Sequence, residues 1–513
     1  MKRQLEQLKD NEYDILIIGG GILGLFIAWD ATLRGLSVAL IDKGDFGGAT
    51  SSNSLRIIHG GFRHIQNLDF RKIRRFIKEQ RIFMKIAPHL VRAMPVIIPL
   101  YSSNFLRKIL YYTALKIYDL LGIGLGVSKE IDLKKYSNRF ISREECIEII
   151  PDLEKKNLSS GIIFTDCQLT NSERFSIQVA KSAYKEGAHL ANYVEALALN
   201  IKDNKVKGAA VRDNLTGDEF EIHAKFTVNS SGPWLNSLLS HIGNNSSIKG
   251  YSLSKAFNLS INRELTNGYA LGLNSQIKDQ YKANLFSKNS RYFFITPWNG
   301  KSLIGTEYLP TNLEPDNFKV TSEEMSSFLD EINASYPAVS LRKEDVEFVY
   351  GGYVPTYIDR SGNAKIGTKN NIYDHEKEQG LSGLFSARVS KYTEARIVAQ
   401  ETVDVILRKI GKTFRPSTTE STLLSFGKFD NTKHVINEEI DDNLIKSQII
   451  YAIQEEMAQK LTDVIFRRID FNFDEIKSNL KQYSRIMAKE LNWDDSRIKK
   501  EEEEVYSRFS NFH

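Results

Sequence analysis

The sequence of 513 residues is poor in cysteine and contains no long hydrophobic run. Its two cysteines, Cys146 and Cys167, are too few for a disulfide framework, a zinc ribbon or a four-cysteine iron–sulfur site. No stretch reaches about 18 uninterrupted apolar residues, so we expect no membrane span, and the polar start of the chain does not resemble a signal peptide. Redox chemistry in this chain would therefore need an organic cofactor.

The charge is nearly balanced, which argues against a polyanionic partner. The chain has 69 basic and 64 acidic residues, a formal net charge of +5. The basic residues are dispersed and form no known nucleic-acid-binding module, so we expect no nucleic-acid partner. No spacing of His, Asp or Glu is typical of a metal site, and we expect no metal. We expect a cytoplasmic protein of about three domains, at roughly 150 residues each.

The start of the chain is typical of a β-α-β unit. An apolar run at 13–18 predicts a buried parallel strand, residues 19–24 (GGGILG) predict a turn, and 25–34 predict a helix. A second strand is expected over 36–41, and Asp42 follows it. A strand, a helix and a parallel strand in this order have a right-handed connection.

The glycines of this turn have the spacing of a dinucleotide-binding site. Gly19 permits the tight turn, Gly21 leaves room for the backbone to approach a pyrophosphate, and Gly24 lets the helix pack on the strand. The helix N-terminus then offers N–H groups and a partial positive charge to the phosphates. Asp42 lies where a carboxylate accepts both ribose hydroxyls, and an acid there disfavours a 2′-phosphate.

The rest of the sequence favours FAD over NAD. A second GxGxxG, which a separate nicotinamide domain would need, is absent, and so is a CxxC redox pair. Residues 229–234 (NSSGPW) follow a predicted strand and give a second small-residue turn that a flavin-linked phosphate arm could approach. FAD is therefore the expected cofactor, and an NAD-linked dehydrogenase is the weaker alternative.

Periodic patterns predict further helices and many short strands. Helices are expected at 69–86, 105–121, 172–186 and 394–409. Strands are expected at 94–100, 161–164, 188–194, 196–202, 205–212, 219–228, 252–261, 291–297, 302–306 and 347–351. After Gly411 the composition becomes charged and helical, so we interpret 412–513 as a separate helical domain.

Residues 49–63 (ATSSNSLRIIHGGFR), together with the opening unit, resemble the FAD-dependent glycerol-3-phosphate dehydrogenases, within the D-amino-acid-oxidase-like superfamily. Shorter matches lie at 87–90, 165–167, 229–234, 297–298 and 304–306, and 455–458 and 463–468 resemble the family's C-terminal helical domain. The resemblance implies an α/β fold: a Rossmann-like FAD-binding domain with an inserted β-sheet-rich substrate domain and a C-terminal helical domain. The expected domains are FAD-binding at 13–95, 151–235 and 350–411, substrate at 96–150 and 236–349, and helical at 412–513.

The resemblance also implies a reaction. A small secondary alcohol, sn-glycerol 3-phosphate or a related substrate, would give hydride to flavin N5, and the electrons would pass to quinone or oxygen. The candidate cofactor contacts are Gly19, Gly21, Gly24, Asp42, Thr50, Ser51, Ser52, His59, Gly60, Gly61, Val194, Ser231, Gly232, Trp234 and Ser390.

Four residues are candidates for catalysis. His59 or His64 would serve as the base for the hydroxyl proton. Arg63 would hold an anionic group of the substrate, because a guanidinium matches a carboxylate or phosphate. Arg388 would place a positive charge near flavin N1.

The chain departs from the family at the substrate site. Val354 stands where the family has an arginine that grips the substrate phosphate, and Arg388 stands at the position of a family lysine. Residues 254–257 (SKAF) replace a Lys-Gly-x-His segment, and His64 replaces a common tyrosine. The loss of a charge-assisted hydrogen bond costs about 1.5–3 kcal/mol, which is enough to change a substrate.

These departures leave alternatives open. Lys255, Arg388 or Lys391 would be the cation that compensates for the lost arginine. Otherwise the substrate is an unphosphorylated polyol, hydroxy acid, sugar derivative or amine. A flavin-binding protein that has lost the chemistry is the alternative from a different class.

The segment 105–121 is basic, aromatic and amphipathic, with two interpretations. Such a helix can lie in a membrane interface, which would give a peripheral location on the inner face of the cytoplasmic membrane and suit a lipid-soluble quinone. A helix that faces the core and is basic on its outer side fits equally well.

Overall fold

The computed structural model describes most residues of the chain. They are 1–62, 65, 68–101, 105–125, 137–240, 242, 247–248, 251–276, 291–311, 314–358, 364–367, 370–411, 415–425, 442–469 and 473–510. The strands are β1 Glu12–Ile18, β2 Val38–Ile41, β3 Ile57–Ile58, β4 Val91–Leu100, β5 Arg139–Ser142, β6 Ser160–Leu169, β7 His189–Ala191, β8 Val194–Lys202, β9 Lys205–Asp213, β10 Glu219–Asn229, β11 Tyr251–Ile261, β12 Ala270–Asn274, β13 Tyr292–Trp298, β14 Lys301–Pro310, β15 Val346–Ile358, β16 Ala364–Ile366, β17 Ile372–Asp374 and β18 Leu384–Ala387. The α-helices are α1 Leu5–Asp10, α2 Ile22–Leu33, α3 Phe70–Ile86, α4 Phe105–Gly122, α5 Arg143–Ile149, α6 Ser172–Lys185, α7 Leu235–Ser240, α8 Ser322–Ser335, α9 His375–Gln379, α10 Ala395–Ile410, α11 Asp442–Glu456, α12 Leu461–Asp463, α13 Phe473–Leu491 and α14 Asp495–Ser510.

The first sheet has a parallel centre, in the order β18-β10-β1-β2-β7. The strand β1 is apolar on both faces because both are covered. Ile15 and Ile17 pack in the cluster that contains helices α2, α6 and α10, whereas Leu16 and Ile18 pack with the antiparallel strands β8 and β9. The predicted opening β-α-β unit is therefore confirmed.

The second sheet is mostly antiparallel and supports the other half of the site. Its order is β16-β15-β11-β14-β13-β12-β4-β6-β3, with β5 paired to β6. Helix α8 covers one face, where Phe257 and Phe293 pack against Phe328. Helices α3 and α4 cover part of the other face.

The boundary between the two sheets differs from the expected domain ranges. Strand β4, half of which we expected in the FAD-binding range 13–95, pairs with β6 and β12 in the second sheet. Strands β6 and β15, expected at least in part in 151–235 and 350–411, also belong to the second sheet. The sheet to which a strand belongs depends on the distant strand with which it pairs, and the local sequence does not reveal that partner.

The C-terminal helices α11 to α14 share a core of their own. The segment 415–425, expected in the helical domain, instead packs on the first domain, where Thr419 bonds Arg396 and Leu424 joins the core around α2. Among the described residues no helix is both long enough and apolar enough to cross a membrane.

A buried ion pair joins α3 to α10 and yields a stability prediction. Arg396 donates to Glu79 at 2.6 and 2.7 Å, and both side chains are almost fully buried. Arg396→Met should lower the free energy of unfolding by about 3–5 kcal/mol, because it leaves a buried carboxylate unpaired. Chemical denaturation of the full chain would measure this.

The matched control is Arg75→Met, which breaks the partly exposed pair with Glu401 between the same two helices. Exposed pairs contribute less than about 1 kcal/mol. Equal losses for the two variants would contradict the importance of the buried pair.

Candidate FAD and active site

Four parallel strands end at one edge of the first sheet, and each end carries a predicted site residue. Ile18 of β1 lies opposite Ile41 of β2 and Asn229 of β10, and Asn229 lies opposite Ser386 of β18. The glycine turn, Asp42, the 229–234 turn and Arg388 follow these ends in the chain. Carboxyl ends of parallel strands are where α/β folds bind ligands.

The turn after β1 can be built only with glycine at two positions. Gly19 has φ of +106°, and a Cβ there would lie 2.6 Å from the Ser230 carbonyl oxygen. A Cβ on Gly24 would lie 1.9 Å from the Gly19 carbonyl oxygen, so this glycine sets the contact between helix and strand. A Cβ on Gly21 would meet just one atom within 4 Å, Ser51 Oγ at 3.3 Å. Gly21 therefore faces open space, as a pyrophosphate site requires.

The first turn of α2 has donors for phosphate oxygens. The Ile22 N–H bonds Ser51 Oγ at 2.9 Å. The Leu23 and Gly24 N–H groups follow in the first turn, where a helix supplies no acceptor of its own. A pyrophosphate at this N-terminus would receive their hydrogen bonds and the positive end of the helix dipole.

The Asp42 carboxylate is fixed by two backbone donors. Gly20 N–H donates to one oxygen at 2.7 Å and Gly44 N–H donates to the other at 2.8 Å. Burial raises the pKa of Asp42, which these backbone hydrogen bonds oppose. Each carboxylate oxygen has a further lone pair for a ribose hydroxyl. Val194, a predicted contact, supports Asp42 through its backbone: its N–H bonds the Asp42 carbonyl at 2.7 Å while its side chain is buried.

The serine-rich loop joins the two sheets. Ser51 contacts the N-terminus of α2, as described, whereas Thr50 donates to the Tyr353 carbonyl of β15 at 3.1 Å. Ser52 is buried and donates to the Ala49 carbonyl within its own loop. The three predicted residues thus make three different contacts. Ser51 is the one that contacts the N-terminus of α2, where we expect the phosphates.

The turn after β10 lies against the glycine turn. Ser231 donates to the Asn229 side chain at 2.6 Å, and Gly232 has φ of +57° with open space where a Cβ would be. Trp234 turns outward, where its indole N–H donates to Asp316. Sequence reasoning missed Ser230, whose buried hydroxyl lies 3.1 and 3.0 Å from the carbonyl oxygens of Ile18 and Gly19.

His59 follows β3 and is paired with a buried carboxylate. Its Nδ1 lies 3.3 Å from Asp166 Oδ2, and its ring is about one-third exposed at 34%. The Gly60 N–H donates to the other Asp166 oxygen at 2.6 Å, so one carboxylate orients both the ring and the adjoining backbone. This arrangement directs the second ring nitrogen, Nε2, away from Asp166.

Asp166 is a residue that sequence reasoning left without a role. It lies in β6, within the matched stretch 165–167, and its side chain is 7% exposed. An acid inside a buried strand needs a hydrogen-bond partner, and that was the available signal. Gln80 also donates to it, at 3.3 Å.

Gly60 and Gly61, predicted cofactor contacts, have a packing role in the structure. A Cβ on Gly60 would lie 1.8 Å from the Tyr118 hydroxyl of α4. Gly61 has φ of +83° and packs against Phe76 of α3. Both helices therefore press directly on the segment that carries His59.

Arg388 lies at the end of β18 with an unsatisfied donor. It is 8% exposed, its Nε donates to the Asn370 carbonyl at 3.0 Å, and the guanidinium lies over the Tyr251 ring at 5.1 Å. Its Nη1 is buried without an acceptor among the described residues. Burial lowers the pKa of Arg388. A buried cation with a spare donor fits an anionic group of a bound flavin.

The other predicted residues lie in different places. Arg63 and His64 fall outside the described residues. Ser390 follows Arg388, and its hydroxyl would be 3.8 Å from a Cβ on Gly367. Lys255, considered as a replacement for the lost arginine, is instead 4% exposed and bound to Glu324 and the Lys319 carbonyl. That expectation is wrong, because β11 points this side chain to α8.

Comparison with known proteins supports this assignment. Residues 14–388 match the family of FAD dependent oxidoreductases, and 418–498 match the C-terminal domain of alpha-glycerophosphate oxidase. The chain belongs to the FAD dependent oxidoreductase family. The glycerol-3-phosphate dehydrogenase of Synechocystis is 28% identical over 91% of this chain and 90% of its own, and the aerobic enzyme of Staphylococcus aureus is 28% identical over 98% and 95%.

The fold agrees with a solved structure. The glycerol-3-phosphate dehydrogenase from Bacillus halodurans, complexed with FAD, has a TM-score of 0.75 at 22% identity and covers 98% of this chain and 96% of its own. The chain is thus an FAD-dependent oxidoreductase with a Rossmann-type FAD domain and a C-terminal helical domain, as the sequence predicted.

Asp42→Asn should weaken FAD binding at least tenfold. A carboxamide turns a donor toward the N–H of Gly20 or Gly44, and lost hydrogen bonds to a charged acceptor are worth about 1.5–3 kcal/mol. Titration of the apoprotein with FAD, followed by flavin fluorescence, would measure the dissociation constant.

The control is Asp14→Asn, near the other end of β1, where the carboxylate binds Ser37 and Lys225. This variant should keep the wild-type FAD affinity. Unchanged affinity in Asp42→Asn would exclude Asp42 as the ribose ligand.

Proposed function

We propose that this protein oxidises a small secondary alcohol, glycerol 3-phosphate or a related compound, and passes the electrons to quinone or oxygen. The observation that supports this proposal most directly is the His59–Asp166 pair. His59 directly follows β3, which pairs with β6 in the second sheet, and Asp166 lies in β6 itself. A base held by a carboxylate at the junction of a cofactor domain and a substrate domain suits removal of a hydroxyl proton.

The roles of the residues follow from their positions. A bound flavin supplies a hydride acceptor. His59 takes the hydroxyl proton, and Asp166 orients the imidazole and stabilises its protonated form. Arg388 is buried, its Nη1 has no acceptor among the described residues, and it stabilises negative charge at the flavin side of the site. No metal is required by this scheme.

The face of β15 that carries Val354 is the reason for two candidate classes of substrate. In β15, Gly352 lies beside Thr50, with 3.1 Å between a Cβ there and Thr50 Oγ1, and Val354 shares its face by strand alternation. The register partner of Val354 is Ser254, whose hydroxyl pairs with Thr356 at 2.7 Å. Val354 brings no charge to this face, so an unphosphorylated polyol, hydroxy acid, sugar derivative or amine is the second candidate substrate.

His59→Gln should slow anaerobic flavin reduction by about 100-fold or more, because general base catalysis contributes roughly 10²–10⁴-fold. Asp166→Asn should slow flavin reduction less than His59→Gln does, because the imidazole is still present and loses only its orienting carboxylate. Stopped-flow absorbance under anaerobic conditions would measure both rates.

The FAD content of both variants serves as the control and should match the wild type. A His59→Gln variant that reduces flavin at the wild-type rate would assign the base elsewhere.

Anaerobic mixing with glycerol 3-phosphate and with unphosphorylated alcohols, hydroxy acids and amines tests the substrate directly. We expect at least one compound to bleach the flavin. Val354→Arg should improve the affinity for glycerol 3-phosphate about tenfold or more, because it adds a charge-assisted pair. Val354→Leu is the size control and should not.

Two results would count against this proposal. Failure of every compound would favour a flavin-binding protein without catalysis. If only unphosphorylated compounds reduce the flavin, and Val354→Arg gives no gain, the protein is still an oxidase or dehydrogenase. Its substrate would then carry no phosphate, and glycerol 3-phosphate would be excluded.

We further propose that α4 lies on a membrane surface. Its outer face is an apolar stripe of Ile109, Tyr112, Leu120 and the following Ile123, which are 46–66% exposed. Lys116 lies on the same stripe and contacts the Tyr112 ring. The opposite face packs on the core through Leu115 and Tyr118, as the second interpretation of 105–121 expects, and the outer face is the one that we propose for the membrane. A basic amphipathic surface of this kind suits a bilayer that holds a quinone.

The double variant Leu120→Glu with Ile123→Glu should lower binding to phosphatidylglycerol vesicles at least tenfold. Burial of each such side chain is worth about 1.5–3 kcal/mol. Vesicle flotation would measure this, with Leu423→Glu, 55% exposed elsewhere, as the control. Equal flotation of all three proteins, or none by the wild type, would contradict the membrane surface.

A further inference from the structure

The segment 42–48 wraps around the first glycine turn. Asp42 accepts the Gly20 N–H, and the Gly47 N–H donates to the Gly20 carbonyl at 2.9 Å. Phe46 is fully buried, and its ring would lie 2.6 Å from a Cβ on Gly20. The shape of this segment therefore sets both the Asp42 carboxylate and the turn that receives the pyrophosphate.

Asp45, at the middle of the segment, is held by the C-terminal domain. Its carboxylate accepts Arg467 Nε at 2.6 Å and Arg468 Nη1 and Nη2 at 2.8 Å each. Asn192 donates to it at 2.9 Å. Burial alone would raise the pKa of Asp45, but the two guanidinium groups hold it well below its ordinary value.

The two arginines are fixed in turn by their own domain. They end the π-helical turn Val464–Arg468, which continues α12. Arg467 also binds Asp463, which accepts the backbone N–H groups of Gln459 and Lys460 at 2.8 and 3.0 Å. Arg468 Nη2 donates to the Glu456 carbonyl at 3.0 Å. The guanidinium groups thus meet Asp45 from a rigid support.

A second path joins the same turn to the segment. The Tyr193 hydroxyl donates to Asp463 at 2.5 Å, and the Tyr193 N–H donates to the Gly44 carbonyl at 2.9 Å. Gly44 is the residue whose N–H binds Asp42. The C-terminal turn therefore reaches the ribose ligand by two routes, one ionic and one through the backbone.

We propose that Arg467 and Arg468 are positioning residues for FAD, which hold the segment 42–48 in its cofactor-binding form from the C-terminal domain. Neither side chain need touch the cofactor. Retention of FAD then depends on the helical domain as well as on the Rossmann-type domain. The inference rests on FAD binding and not on the identity of the substrate.

Apoprotein titration with FAD tests the inference in the full chain, with Asp45→Asn and Arg467→Met as variants. The matched control is Arg174→Met, which removes a buried ion pair with Glu456 at 2.6 Å between the same two domains without contacting 42–48. Asp45→Asn and Arg467→Met should raise the FAD dissociation constant about tenfold or more, the size of outer-sphere effects at metal sites. Arg174→Met should leave it within about twofold, even where its apoprotein melts earlier.

Amide hydrogen exchange gives a readout that does not depend on FAD. Residues 42–48 should exchange faster in apo Asp45→Asn than in the apo wild type, while the segment should be unchanged in Arg174→Met. An unchanged dissociation constant in Asp45→Asn would overturn the inference, as would an equal loss of affinity in Arg174→Met. If Arg467→Met does not fold, Asp45→Asn, which keeps the shape of the side chain, decides the outcome. Failure of the wild-type apoprotein to bind FAD would instead overturn the cofactor site itself.

Discussion

The contact between Gly24 and the Gly19 carbonyl is the constraint on which the site depends. A Cβ at Gly24 would lie 1.9 Å from that oxygen, so helix α2 begins where it does only because the side chain is missing. This contact brings the N-terminus of α2 to the carboxyl ends of β1, β2 and β10. The open space at Gly21, the carboxylate of Asp42 and the turn at Ser231 then face one position, which suits a dinucleotide.

The stretch from Asp42 to Phe62 connects the glycine turn to His59, the proposed base. It begins at Asp42, the proposed ribose ligand, contacts α2 through Ser51, reaches β15 through Thr50 and enters β3 just before His59. The proposed FAD contacts and the proposed base are thus adjacent along the chain, although they lie in different sheets. Support comes from outside this stretch, from Asp166 of β6 and from the C-terminal arginines that bind Asp45.

Local patterns predicted the parts of the fold that local physics determines. The opening strands and the helices at 69–86 and 394–409 were predicted to within a few residues, because apolar periodicity and stop signals mark them. Helix α2 begins at Ile22 rather than at 25, because Gly21 is its N-cap. The FAD assignment also came from a local motif.

Local sequence patterns could not predict which distant residues pair in the fold. The partners His59 and Asp166 are 107 positions apart, and Asp45 and Arg468 are 423 apart. Strand alternation directs Lys255 to α8, which its local sequence does not reveal, and β4 pairs with β6 although about 60 or more residues separate them along the chain.

The visible absorption spectrum of the purified chain, with the cofactor released by denaturation and identified by mass, tests the FAD cradle most directly. We expect the spectrum of a bound flavin and close to one FAD per chain. A colourless protein whose apo form takes up no FAD would contradict the assignment of this site.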